Sequence, residues 1–271
     1  MYPFTYRRPT SVADAVKMFG ASDDAAFLSG GHTLLPTLKA RLAAPSDVID
    51  LTALPELKGI EETKSGLLIR GGTVHADVAA SPLVRRNIPV LAGLAGSIGD
   101  RHVRHRGTIG GSVANNDPAA DYPAAVLALN ATVITDRRRI AAGEYFTGLY
   151  ETCREPGEIV IGVEFPVPLS AGYAKFRNLA SRYALAATFV ARTSAGVRVA
   201  VTGAYNTGVT RPTHFEKALD ADFSAEALDA LDIDPKDMLS DAAATAAYRA
   251  NLPKVLARRA VARQDEVLIY K

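Results

Sequence analysis

Residues 25–52 contain an apolar run, a glycine turn, a leucine-periodic segment and a second apolar run, an order that points to strand, helix and parallel strand. AAFLSGG (25–31) predicts a strand that ends in the turn Ser29-Gly30-Gly31-His32-Thr33. HTLLPTLKARLA predicts a helix with Leu34, Leu35, Leu38 and Leu42 on one face. Thr33 is its expected N-cap, and Pro36 falls in the first turn, where a missing N–H costs little. SDVIDLT (46–52) supplies the second strand. A βαβ unit of this kind sets Gly30-Gly31 at a helix N-terminus, where backbone N–H groups can receive an anion.

A second glycine pair stands in Thr108-Ile109-Gly110-Gly111-Ser112, after the basic segment DRHVRHRG (100–107) and before Asp121. With no Cβ in the way, backbone N–H groups there can approach a bulky anion, and a phosphate is the natural ligand. Two such turns could hold the two ends of a pyrophosphate. Neither matches G-x-G-x-x-G or the P-loop, so a Rossmann or kinase reading has little support. The arginines and histidines of 101–106 are, taken alone, more often a solvated surface. Their position before TIGGS leaves phosphate contact or docking of a partner subunit open. Asp121 is the expected N-cap of a helix over YPAAVLALN, with Asn130 as a left-handed stop before the strand ATVIT.

Elsewhere the pattern predicts a hairpin around Lys64-Ser65-Gly66, a helix from about Ala76, a buried helix over 88–99 and a strand over 158–168. Prolines then mark a domain boundary near 168–172, followed by an α+β module whose last helix, AYRANLPKVLARRAVARQ, is amphipathic. The net charge of +2 exerts no general pull on nucleic acid or anionic membrane. The N-terminus lacks the apolar core of a signal peptide and no run approaches the ~18 apolar residues of a membrane span, so a cytoplasmic location is expected. A lone cysteine, Cys153, excludes an internal disulfide and cannot by itself hold an iron–sulfur cluster, and the five histidines show no zinc spacing. Any redox cofactor of this chain is therefore organic.

Several segments, in order and spanning nearly the whole chain, resemble the flavin subunit of the molybdenum hydroxylases, the family of xanthine dehydrogenase and the aerobic carbon monoxide dehydrogenases. They are FTYRRPTSVADAV, SGGHTLLPTLKARLAAPSDVIDL, RHRGTIGGSVANNDPAADYPAA, GEIVIGVEFP and AYRANLPKVLARRA. The resemblance implies an α+β chain with a FAD-binding domain of the vanillyl-alcohol oxidase type over 1–168, in subdomains of about 1–54 and 55–168. A small C-terminal flavoprotein domain over 172–271 would follow.

By the same similarity FAD is held non-covalently, with Ser29 to Thr33, followed by Leu34, and Thr108 to Ser112 wrapping its pyrophosphate. Asp121 matches an acidic residue at the flavin nucleotide, Ile98 a position packed near it, and Val160 a strand position at the isoalloxazine edge. Arg177 falls where relatives place a lysine or arginine near the flavin, and Tyr183 matches an aromatic residue close to the ring. On residue statistics alone, Asp121 could be only a helix cap and Tyr183 only a core side chain. His32 corresponds to a residue bonded to flavin in some stand-alone oxidases; a turn residue hydrogen-bonded to backbone or phosphate is the preferred reading. Many relatives have Gly-Asp-Tyr or Gly-Asp-Phe where this chain has Ser181-Arg182-Tyr183, which would set a positive charge by the flavin edge and raise its potential.

The role implied is that of an electron-transfer subunit. A large molybdopterin subunit would oxidise substrate, a small subunit with [2Fe-2S] clusters would pass the electrons here, and NAD, oxygen or a quinone would take them, within a dimer of heterotrimers. No general base or nucleophile emerges from the motifs, as an electron relay requires none. The rivals are a stand-alone flavin oxidase, against which the short C-terminal domain argues, and a scaffold that has lost flavin, against which both glycine pairs and Asp121 argue.

Overall fold

The computed structural model describes residues 1–270. The chain opens with β1 (Thr5–Arg7), α1 (Val12–Gly20), β2 (Ala25–Leu28), α2 (Leu34–Lys39) and β3 (Asp47–Asp50). The strands form a parallel sheet in the order β1-β3-β2. The strand–turn–helix–strand unit is therefore present, with β3 buried along its whole length as a central parallel strand should be. The helix is shorter than its leucine spacing predicts. Arg41 turns left-handed (φ 59°), and the N–H groups of Arg41 and Leu42 return to the carbonyls of Leu38 and Thr37, a Schellman closure that leaves Leu42 80% exposed. Nor does Thr33 cap it: its backbone is already helical, and its hydroxyl makes no capping bond.

The middle of the chain runs through β4 (Ile60–Thr63), β5 (Gly66–Arg70) and six helices before returning to strands. The helices are α3 (His75–Ala80), α4 (Pro82–Asn87), α5 (Pro89–Ser97), α6 (Arg101–Arg104), α7 (Ile109–Asn115) and α8 (Tyr122–Ala128). Next come β6 (Thr132–Thr135), β7 (Arg139–Ala141), α9 (Ala142–Tyr145), the short pair β8 (Phe146–Gly148) and β9 (Glu151–Thr152), and β10 (Val160–Phe165). An antiparallel sheet of order β4-β5-β10-β6-β7 results. The expected hairpin turns at Gly66, and Asn130 takes the left-handed conformation (φ 52°) that ends α8. Within the basic segment, Arg101–Arg104 form the helix α6, capped by Asp100, whose carboxylate accepts the Val103 N–H at 2.9 Å.

The remainder forms β11 (Ser170–Arg177), β12 (Ala184–Thr193), β13 (Gly196–Thr202), α10 (Thr213–Ala221), α11 (Ala246–Ala262) and β14 (Val267–Tyr270). Their sheet has the order β13-β12-β11-β14, with β14 parallel to β11. Buried positions Ala250, Pro253, Leu256, Ala257 and Ala260 recur at helical spacing and give α11 the apolar face its sequence predicts. Helix α8, buried at every residue, packs against β12 and β13, so one apolar core runs from Leu94 and Tyr122 into Tyr173, Phe189 and Ala200. That continuity positions residues of β11 beside the loops of the middle segment.

Candidate cofactor cleft

A cleft of about 410 Å³ opens where the turn after β2 meets α7 and β10. Its size is in the range of ordinary cofactor sites. The two glycine motifs, far apart in sequence, form adjoining walls: Ser29 Oγ and Thr108 Oγ1 are 2.9 Å apart. Glycine is required at this seam because backbone lies on backbone. A Cβ on Gly30 would stand 2.4 Å from the Arg106 carbonyl oxygen, and one on Gly110 would stand 2.6 Å from that of Gly71.

The two turns differ in what their amides do. In TIGGS four of the five are already engaged: Ile109 N–H donates to Thr73 O, Gly110 N–H to Gly71 O, Gly111 N–H to Thr108 Oγ1 and Ser112 N–H to Thr108 O. In the first turn, among the described residues, no protein acceptor receives the N–H groups of Gly30, Gly31, His32, Thr33 or Leu34. Successive unpaired backbone donors on the wall of one cleft can form a nest for an anion. Ser29, Thr108 and Ser112 add hydroxyls to the same wall.

Charges around the cleft are fixed by long-range partners. The Asp121 carboxylate does not cap α8; it accepts hydrogen bonds from the Tyr173 hydroxyl and from Lys175 Nζ at 2.9 Å, and all three side chains are buried. Burial, with Asp121 alongside, drives the Tyr173 phenol well above its usual range. Glu158 at the cleft floor is held at about 2, chiefly by hydrogen bonding to Arg138, with Thr135 and the Glu155 N–H also donating to it. The guanidinium of Arg154 is tied to the carbonyls of Glu158 and Ala114. His75 is pushed down to about 4 by burial and by His32 and Arg104, so its ring is neutral.

The structure gathers Ser29, Gly30, Gly31, His32, Thr33, Leu34, Ile98, Thr108, Gly110, Gly111, Ser112, Asp121, Val160 and Tyr183 around this one cleft. Ile109 instead points into the apolar core, fully buried. Arg177 also lies off the cleft wall, since a register shift between Phe176 and Arg177 ends the regular alternation of β11 there. Arg182 is exposed and does not line the cleft, although its neighbour Tyr183 does; its charge acts on Asp100. The basic residues of α6 do not line the cleft either, and Arg104 instead donates to the carbonyls of Ile98 and Gly99, while Val103 and Gly107 of that segment reach the cleft. Sequence reasoning missed Gly71, Gly72, His75 and Arg154. A third glycine pair before a histidine, RGGTVH, was the available signal for the first three.

The chain is similar to known proteins in sequence and in overall fold. Residues 2–168 match the model of the family described as the FAD binding domain in molybdopterin dehydrogenase. The chain is 34% identical over 276 residues to the carbon monoxide dehydrogenase medium chain of Afipia carboxidovorans, covering 96% of each. It is 34% identical to the nicotine 6-hydroxylase medium subunit of Paenarthrobacter nicotinovorans, covering 94% of this chain and 95% of that one. A chain of reconstituted carbon monoxide dehydrogenase from Oligotropha carboxidovorans superposes with a TM-score of 0.89 at 33% identity, covering 97% of this chain and 98% of that one. Fold and cleft thus define a flavin-binding α+β protein. The chain belongs to the FAD-binding family of the molybdopterin dehydrogenases. Among the described residues, no helix is long and apolar enough to cross a membrane.

Proposed function

We propose that this chain is the FAD-carrying, electron-transferring medium subunit of a molybdenum-containing hydroxylase that works in the cytoplasm, and that residues 1–168 hold the flavin with 172–271 packed against it. The observation that carries the reading is the cradle itself: unpaired amides at 30–34, hydroxyl-linked to a closed TIGGS turn, in a chain of this family. The amides of 30–34 would hold the pyrophosphate, with Ser29, Thr108 and Ser112 supplying hydroxyls. Ile98, Val160 and Tyr183 would border the ring, and Asp121, locked by Tyr173 and Lys175, would present a fixed carboxylate to the nucleotide. His32 would act through hydrogen bonding only.

Bound FAD would supply the redox chemistry, taking electrons from iron–sulfur clusters and yielding them to an external acceptor. The protein's residues hold, orient and shield it. The assembly we propose contains a large molybdopterin subunit and a small [2Fe-2S] subunit as a dimer of heterotrimers, with NAD or a quinone as acceptor. Co-purification tests this: a yellow complex with a small cysteine-rich subunit and a large molybdopterin subunit is expected. A colourless chain, or substrate turnover by the isolated yellow chain, would overturn the assignment.

A further inference from the structure

His75 opens α3 immediately after the glycine pair Gly71-Gly72, and it is only 4% exposed. Its N–H donates to the Gly107 carbonyl at 2.9 Å and its ring rests on Tyr122, with centroids 5.4 Å apart. Nε2 is the atom pressed against Gly107: a Cβ there would stand 2.6 Å from it. Gly107 in turn abuts Gly30, whose Cβ would lie 2.7 Å from the Gly107 Cα. Gly30, Gly107 and His75 are therefore layered at the seam between the two turns, and all three line the cleft. On the far side of the ring, Nδ1 is buried with no hydrogen-bond partner.

A neutral imidazole carries a single N–H. Placed on Nδ1, it would be a buried donor with nothing to bond, which is rarely tolerated. A bare Nδ1 is only an under-used acceptor. The proton therefore belongs on Nε2, beside the seam. We infer that His75, through Nε2–H, donates a hydrogen bond to the diphosphate of the bound flavin dinucleotide at the Gly30–Gly107 seam. This rests on the FAD assignment above and adds a side-chain donor to the open amides of 30–34.

The test uses the full chain stripped of flavin, titrated with FAD and with riboflavin, which has the ring but no phosphate. His75→Phe fills the space without a donor and is expected to weaken FAD binding ~10- to 100-fold, the range for a hydrogen bond to a charged group. Riboflavin affinity should stay unchanged, and His75→Gln, a neutral donor, should recover most of the loss. Unchanged FAD affinity in His75→Phe, or equal losses for FAD and riboflavin, would overturn the inference, the latter by making the ring a spacer. Two-bond proton–nitrogen correlation on the wild-type chain reads the tautomer independently of any variant's folding: Nε2–H is expected, and Nδ1–H would overturn it. A wild-type chain that takes up no FAD would overturn the FAD assignment and this inference together.

Discussion

The hydroxyls of Ser29 and Thr108 meet at 2.9 Å across 79 residues of sequence, and Thr108 Oγ1 also accepts the Gly111 N–H at 3.1 Å. One threonine therefore caps α7 and ties it to the turn after β2. Thr108→Val should cost about 1–2 kcal/mol of stability, a cap plus a side-chain hydrogen bond, whereas Ser29→Ala should cost about 0.5–1 kcal/mol. Urea unfolding of both singles and the double variant measures their coupling. Strictly additive losses would mean that the hydroxyl pair contributes nothing.

The glycine at 110 is demanded by the protein before any ligand arrives. Gly110→Ala would drive a methyl group into the Gly71 carbonyl, backbone against backbone, and should destabilise by about 1–3 kcal/mol while loosening FAD. Gly143→Ala, where a Cβ meets nothing within 4 Å and α9 is helical, serves as the control and should be neutral or slightly stabilising. Equal melting temperatures for the two variants would refute the close-packing account.

Acid should act on this fold partly through Glu158. Its folded-state value, depressed to about 2, lies below the ordinary 4.5, so its stabilisation is complete above about 4.5 and is lost as pH falls toward 2. Glu158→Gln should lower stability at neutral pH and flatten the slope of stability against pH in that window. Urea unfolding at a series of pH values from 2 to 6 reads both effects; an unchanged acid slope would remove Glu158 from the account.

The buried pair Asp121–Lys175 is coupled, so losing either partner alone is costly. Asp121→Ala leaves an ammonium with no counter-charge in the core and should cost about 3–5 kcal/mol, as should Lys175→Met by stranding the carboxylate. The double variant should be less destabilised than the sum of the two, which calorimetric or urea unfolding can establish.

Arg182 holds a left-handed backbone at φ 64°, a region costly to residues with a Cβ. Arg182→Gly should relieve roughly 1 kcal/mol of that strain, offset in part by the added flexibility of the unfolded chain. Because the side chain is off the cleft wall, Arg182→Asp should move the flavin midpoint potential far less than substitution of Asp121 would. Redox titration of the two variants decides the order.

Much of the fold was legible locally. The βαβ unit, the hairpin at Gly66, the left-handed stop at Asn130 and the apolar face of α11 each follow from a few neighbouring residues whose conformational preferences agree with their neighbours'. Misreadings arose where local chemistry met a distant partner. Asp121 looks like a cap because it precedes a helix, yet Tyr173 and Lys175, 52 and 54 residues on, take both of its oxygens. Leu42 continues a leucine row that the Schellman turn at Arg41 cuts short.

From the sequence alone came two glycine turns able to approach a phosphate, a single cysteine that rules out a resident iron–sulfur cluster, and the ordered motifs that mark the family. Tertiary structure alone decided how those turns divide the work. Packing of backbone on backbone at Gly30 and Gly110 occupies most amides of TIGGS and leaves those of SGGHT free, and it brings in Gly71, Gly72 and His75 from a third segment. Which hydrogen bonds remain unmade depends on contacts between residues dozens of positions apart, and no local preference encodes them.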